Sequence, residues 1–312
     1  MIVALTGATG FLGGAVLERL IAQGHQIRAL TRRPQRERVG VTWIAGDLAD
    51  EAALTSLVAG TDAVIHVAGA VNVPHRAAFF AANAEGVRLI AGLAERAGVG
   101  RFILVSSLSA RESHLSDYGW SKREGEAMLD SNSLDWTIVR PPAIYGPGDR
   151  EMLEMFQMAA RGLVMLPPAG RLSIIHADDL ARLLVLLAED RTGVSSGHIY
   201  EPDDGTQDGA QEGGGGGFSH VGFAHALGTA VGRRTRTLSL PRFAMMLGAR
   251  IDRLLRGAGA KLTPDRVRYF CHPDWVVAPD RHVPETVWQP QITAAAGLAA
   301  TATAYRAKGW LK

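Results

Sequence analysis

The chain has 312 residues, 47% apolar and 21% charged, enough to bury a large core. A formal net charge of +2 gives no electrostatic case for a nucleic-acid partner. The single cysteine, Cys271, excludes an internal disulfide, and the ten histidines show no metal-ligand spacing, so no metal is expected. An apolar strand pattern beginning at residue 2 leaves no room for a signal peptide, and apolar runs such as Leu183–Ala188 are too short to span a bilayer. These features predict a cytoplasmic protein, or one peripheral on the inner face of the membrane.

In chain order, short apolar runs alternate with helical patterns. Strands are predicted at 2–6, 26–31, 42–45, 63–67, 101–106, 136–140, 174–176 and 198–201. Helices are predicted at 12–23, 51–58, 77–97, 117–131, 149–161 and 178–189. That alternation implies an α/β fold with a doubly wound, Rossmann-like parallel sheet. Residues 203–217 turn polar and end in five consecutive glycines, which reads as a flexible insertion or a mobile lid. Beyond them lie helical patterns and Trp275, Trp288 and Trp310, without a recognisable motif.

Two features carry chemistry. The first strand runs directly into Gly7, Gly10 and Gly13, followed by the apolar helix pattern Ala15, Val16, Leu17, Leu20, Ile21. Strand, glycine turn and helix at this spacing can bring backbone close to a pyrophosphate at a helix N-terminus. The second feature is Lys122, the only lysine in the first 260 residues, in a chain where four of 33 basic residues are lysine. It stands four residues after Tyr118, so on a helix the two share a face. A compact ammonium fits beside a phenol and a ribose where a guanidinium does not.

In order along roughly residues 1–200, these segments resemble the extended or atypical short-chain dehydrogenase/reductase superfamily, which includes nucleotide-sugar epimerases, 3β-hydroxysteroid dehydrogenases and dihydroflavonol reductases. The matching segments are Thr6-Gly7-x-x-Gly10-x-x-Gly13, Gly46-Asp47-Leu48, His66-Val67-Ala68-Gly69 and Asn83-x-x-Gly86. They continue with Val105-Ser106-Ser107, Tyr118-x-x-x-Lys122, the Arg140–Gly148 segment and His176-Ala177-Asp178-Asp179-Leu180-Ala181. The resemblance implies a dinucleotide held by Gly7, Thr9, Gly10, Phe11, Leu12 and Gly13, by Asp47 and Leu48 at the adenine, and by Val67, Ala68 and Gly69 beneath it. Lys122 would hold the nicotinamide ribose, with Pro141 and Ile144 at the nicotinamide end and Tyr145 near it or at the pocket mouth. It also implies a dinucleotide-binding domain of residues 1–140 and 174–203, and a smaller C-terminal substrate-binding lobe of 141–173 and 204–312. Helices 77–97 and 117–131 often pair two subunits in this superfamily, so both a monomer and a homodimer are open.

Cofactor preference follows from the end of the second strand, Ala29-Leu30-Thr31-Arg32-Arg33-Pro34. An NAD-preferring site places a carboxylate there for the ribose 2′-hydroxyl. Arg32 and Arg33 instead suit a 2′-phosphate, so NADP(H) is preferred, with NAD(H) possible where an arginine only stacks on adenine. The expected catalytic set is Ser107, Tyr118 and Lys122. Tyr118 would exchange the proton, Lys122 would lower its pKa, and Ser107 would polarise the substrate oxygen. Strand alternation turns Ser106 away. Asp178 and Asp179 read as helix caps and His176 as a core histidine.

The substrate is less legible. Arg233, Arg234 and Arg236 could grip the diphosphate of a nucleotide sugar. Apolar residues 243, 246, 247, 251, 254 and 255 fall on one helical face bordered by Arg242, Arg250, Arg253 and Arg256, which suits either core packing or contact with anionic lipid. Overall the chain resembles atypical bacterial reductases near the NAD(P)-binding accessory subunit of respiratory complex I, a group that includes reducers of oxidised ceramide. The expected function is therefore an NADPH-dependent oxidoreductase acting on a lipid-like carbonyl. A nucleotide-sugar epimerase or reductase and a non-catalytic NADPH-binding structural protein are the alternatives. Leu108 and Ser109, standing where dehydratases carry an acid, argue against dehydration.

Overall fold

A computed structural model describes residues 1–129, 133–207, 216–257 and 262–311. It divides into two compact units, Met1–Pro141 with Ala177–Glu201, and Pro142–His176 with Pro202–Lys312.

The first unit is built on seven strands: β1 Ile2–Thr6, β2 Gln26–Thr31, β3 Val41–Ala45, β4 Ala63–His66, β5 Arg101–Val105, β6 Trp136–Val139 and β7 His198–Tyr200. All pair in parallel, in the spatial order β7-β6-β5-β4-β1-β2-β3. Strands β4 and β5 are buried at every position, as expected when helices cover both faces of a sheet. The covering helices of this unit are α1 Phe11–Ala22, α2 Glu51–Val58, α3 Arg76–Arg96, α4 Asp117–Ala127 and α5 Ala177–Glu189. Leu54, Leu57, Val64, Ile90, Phe102 and Ile138 lie in the core between α2, α3 and the sheet. The strand order reverses between β1 and β4, the position where sheets of this kind open a crevice at their carboxyl ends.

Several elements differ from the sequence expectation for physical reasons. Helix α3 is long and apolar enough by composition to cross a membrane, which run length alone missed, yet half of its most apolar stretch is buried in the protein. Its middle, Ala81–Glu85, is a π turn, an insertion that hydrophobic periodicity does not reveal. The helix expected from 149 begins at Leu153, because the Asp149 carboxylate accepts the amides of Glu151 at 2.8 Å and Met152 at 3.0 Å and holds a turn first. Helix α4 ends at Ala127, and residues 130–132 of the expected 117–131 helix lie outside the described residues. Ile174–His176 is a strand, but it pairs in parallel with Ala143–Tyr145 in the second unit, a partner that an apolar triplet cannot announce. Asp178 and Asp179 sit in the first turn of α5, and Asp179 holds Arg182 at 3.0 Å.

The second unit packs Tyr145, Phe156, Phe223, Leu227, Leu298 and Tyr305 into its own core. The expected flexible or lid-like segment 203–217 falls mainly on 208–215, outside the described residues. Its flanks are clamped together: the Gly217 amide donates to Thr206 at 2.6 Å, and Arg171 Nη2 donates to the carbonyls of Gly216 and Gly217, both at 3.0 Å.

Helix α4 approaches the π turn so closely that a Cβ on Gly125 would lie 2.0 Å from the Asn83 carbonyl oxygen. Helix propensity alone would make Gly125→Ala stabilising by about 0.5–1 kcal/mol. Overpacking against a backbone atom costs typically about 1–3 kcal/mol and should win. Urea denaturation should therefore show a lower midpoint at an unchanged m-value, and a raised midpoint would mean the helices can separate freely.

Candidate functional site

At the end of β1 the chain turns through Gly7, whose φ of +76° is left-handed. A Cβ there would lie 2.9 Å from the Ala68 amide nitrogen, and one on Gly13 would lie 2.0 Å from the Gly7 carbonyl oxygen. The turn is closed by the Gly10 amide donating to the Gly7 carbonyl at 2.9 Å. Helix α1 starts with no side-chain cap and no acid in its first turn, so its amides and positive dipole end remain for an anion. Thr9 and Gly10 are exposed there and Phe11 is half-buried, while the Leu12 side chain is buried and offers only its backbone. Thr6 Oγ1 accepts the Ala68 amide at 3.0 Å and lies 3.0 Å from His66 Nδ1, joining β1 to the loop of Val67, Ala68 and Gly69. Burial, and secondarily the Lys122 charge, lower the His66 pKa to about 3, so this ring is neutral.

At the end of β2, Thr31 Oγ1 donates to the Arg33 carbonyl at 2.7 Å and folds the chain over. Arg32 and Arg33 are left exposed, and neither has an ion pair among the described residues. Asp47 is also exposed, with Oδ1 accepting the Ala49 amide at 2.9 Å. The Leu48 side chain packs on the core, and a Cβ on Gly86 would come within 3.1 Å of its Cδ1.

Beyond β5 the Ser107 hydroxyl accepts the Ser109 hydroxyl at 2.9 Å and its amide at 3.3 Å, capping a 3-10 turn at Leu108–Ala110. As a hydrogen-bonding partner, Ser107 also opposes the rise that burial imposes on the Tyr118 phenol. Tyr118 and Lys122 project from successive turns of α4, whose N-cap Ser116 accepts the Gly119 amide at 2.9 Å. Phe79 packs on Tyr118 with ring centroids 6.0 Å apart. Buried Lys122 donates from Nζ to the Val105 carbonyl at 3.0 Å, and a Cβ on Gly69 would lie 3.2 Å from that nitrogen.

The expectation that Lys122 lowers the Tyr118 pKa is corrected. Burial raises the phenol above its ordinary value, and only the Ser107 hydrogen bond opposes that rise. Burial also lowers Lys122 to about 8, with Glu126 working against it. Desolvation is the largest cause at both groups, so the resting phenol keeps its proton.

Sequence reading missed what lies beneath. Glu126, buried one further turn along α4, accepts the Ser106 hydroxyl at 2.5 Å and is gripped by Arg140 through Nε at 2.8 Å and Nη2 at 2.6 Å. Arg140 Nη1 reaches buried Glu201 at 3.4 Å, and Arg111 approaches the other Glu201 oxygen at 3.6 Å. Asn83 is similarly engaged: Oδ1 accepts the Ala70 amide at 2.8 Å, and Nδ2 donates to the Ala70 carbonyl and the Ser121 hydroxyl, both at 2.9 Å. The spacing 118, 122, 126 was a visible signal for Glu126, because all three share a helical face.

The Pro141 carbonyl accepts the Leu108 amide at 2.9 Å and steadies the Ser107 turn. Ile144 lies in the Ala143–Tyr145 strand of the second unit. Tyr145 is fully buried there, 5.3 Å centroid to centroid from His176 and packed against Gly297, rather than at a pocket mouth.

A family profile described as NAD(P)H-binding matches residues 7–190. The chain is also 36% identical over 320 residues to the ceramide reductase of Caulobacter vibrioides (strain NA1000 / CB15N), covering 99% of this chain and 96% of that protein. The chain belongs to the NAD(P)H-binding family. Among solved structures, gox2253 superposes with a TM-score of 0.76 at 23% identity, over 100% of this chain and 99% of the other. The Bordetella bronchiseptica enzyme WbmG, in complex with NAD and UDP, does so with 0.73 at 18% identity, over 99% and 96%. These likenesses concern the fold. The chain is thus an NAD(P)-dependent enzyme of oxidoreductase type. A turn too tight for a side chain, an uncapped helix start and the exposed arginines after β2 fit a dinucleotide.

Glu126→Gln keeps the shape and removes the charge that holds Lys122 up. In NMR of reductively ¹³C-methylated protein, the Lys122 resonance should titrate near 8, and in Glu126→Gln at lower pH. Breaking the buried Glu126–Arg140 pair should also cost about 3–5 kcal/mol in denaturant unfolding. An unchanged Lys122 midpoint would remove Glu126 from its electrostatics.

Proposed function

We propose that this protein is an NADPH-dependent ketoreductase whose substrate is a hydrophobic, lipid-like carbonyl compound, such as the oxo group of an oxidised ceramide or a keto-sphingoid. The reading is carried by Tyr118, packed against Phe79 on α4, one helical turn from buried Lys122, whose Nζ donates to the Val105 carbonyl at 3.0 Å at the end of the strand leading into Ser107. Similarity to a ceramide reductase across nearly the whole chain supports the lipid class. Fold likeness to a UDP-bound enzyme does not favour a nucleotide sugar. A purely structural NADPH binder would not need a Ser107–Tyr118 pair beside a buried lysine.

Reduced nicotinamide, when bound, supplies the hydride that reaches the carbonyl carbon. Tyr118 gives its phenolic proton to the carbonyl oxygen, and its raised pKa suits an acid in the reducing direction rather than a base in the reverse one. Ser107 orients that oxygen against the phenol. Lys122 would hold the nicotinamide ribose. Arg32 and Arg33 would take the 2′-phosphate bidentately.

Tyr118→Phe should lower NADPH-dependent reduction of a long-chain keto-lipid by about 10²–10⁴ while leaving NADPH binding nearly intact. A loss below about tenfold would remove Tyr118 as the proton donor. Wild-type rate should fall as pH rises through about 8, where Lys122 loses its proton. Each methylene removed from the acyl chain should lower kcat/KM roughly fourfold, from about 0.8 kcal/mol of burial per CH₂, and a flat profile would rule out a lipid groove.

Fluorescence titration should show NADPH binding at least about tenfold more tightly than NADH, a difference of about 1.4 kcal/mol. Arg32→Asp with Arg33→Ala should narrow or reverse that ratio. Equal affinities in the wild type would sink the 2′-phosphate argument.

A further inference from the structure

The Arg242–Arg256 helix of the second unit turns its apolar face outward. Phe243 is 76%, Leu254 85% and Leu255 79% exposed, and Leu247 and Ile251 are about half exposed. These side chains recur at i, i+4, i+8, i+11 and i+12, forming one stripe. Ala249 is the only buried residue of the helix. A surface helix of a soluble domain normally hides such a stripe, so this face is built for contact.

The charges select what it contacts. Arg242, Arg250, Arg253 and Arg256 are exposed along the same helix. Its one acid, Asp252, is held by Arg256 at 3.2 Å. Among the described residues, Arg242, Arg250 and Arg253 have no ion pair. A second copy laid on this face would set arginines against arginines, which disfavours self-pairing. At 15 residues with four arginines the helix is too short and too charged to span a bilayer. An interface of lipid phosphates over acyl chains satisfies both faces: guanidinium forks match phosphate oxygens, and the stripe enters the acyl boundary.

We infer that the Arg242–Arg256 helix docks the protein on an anionic lipid surface, lying in the plane of the interface with Phe243, Leu247, Leu254 and Leu255 inserted. This docking goes beyond the proposed ketoreductase activity and is measured without substrate, so either reading can fail while the other stands.

Co-sedimentation of the full chain tests it, using vesicles of phosphatidylglycerol mixed with phosphatidylcholine against vesicles of phosphatidylcholine alone. The wild type should bind the mixed vesicles and release them as salt rises. Phe243→Asp with Leu254→Asp removes two anchors and should weaken that binding at least roughly tenfold, with NADPH affinity unchanged as the control for folding. Arg250→Glu with Arg253→Glu should abolish the preference for phosphatidylglycerol. Three results would each overturn the inference: no wild-type binding to the mixed vesicles, equal binding by the Asp variant, or a wild-type dimer in light scattering that becomes monomeric in that variant.

Discussion

The buried carboxylate of Glu126 is the constraint on which the site depends. A carboxylate taken out of water costs several kcal/mol unless it is met by charge and hydrogen bonds. Here the partners come from separate elements: Ser106 after β5, Arg140 after β6, and through Arg140, Glu201 after β7. Satisfying Glu126 therefore fixes α4 at one height and rotation against the carboxyl ends of three strands. Tyr118 and Lys122, two turns and one turn before it, inherit that placement. Such a network is weak evidence for net stability, since apolar residues of equal volume often serve as well. Its value lies in position.

The same network governs charge. At about 4 Å and an effective dielectric near 20, one opposite charge is worth roughly 4 kcal/mol, comparable with desolvation. Lys122 sits near that balance, lowered by burial and supported by Glu126, so its proton is lost not far above neutrality. Between its folded value near 8 and the ordinary value of 10.5, the unfolded chain holds a proton that the folded one has released. Stability from this group therefore rises with pH across that window. His66 behaves likewise between about 3 and 6.5: acid must charge a ring that the fold keeps neutral.

Much of this was legible in the sequence, and the limits are physical. The seven sheet strands and the first glycine turn were visible because buried parallel strands read as short apolar runs closed by turn signals. Tyr118 and Lys122 were visible because a rare lysine stood at helical spacing from a tyrosine, and Ser107 through the family resemblance; the structure sets Tyr118 and Lys122 on successive turns of α4. Glu126 shared their helical face but its burial was not visible, and Glu201 gave no signal at all, because nothing local distinguishes a carboxylate that will be buried from one that stays in water. The direction of the Tyr118 shift was misjudged for a related reason: spacing shows that a lysine is near but says nothing of how much water both groups lose. The partner of Ile174–His176 and the π turn at Ala81–Glu85 depend on long-range pairing and on one inserted residue, neither of which changes the apolar pattern.

The Arg242–Arg256 helix shows the same gap from the other side. Its periodicity favoured an inward, core-packing face over a lipid-facing one, although amphipathicity records that two faces differ, not which of them meets water. Exposure decides between them: the apolar stripe is outside and only Ala249 is buried. A soluble enzyme gains nothing by leaving Phe243, Leu254 and Leu255 in water, where each forgoes about 1.5–3 kcal/mol of burial. That forgone burial is available to whatever covers the face. An anionic bilayer would supply it, and it would also present any membrane-dissolved carbonyl compound to the protein from the phase in which such a compound is most concentrated.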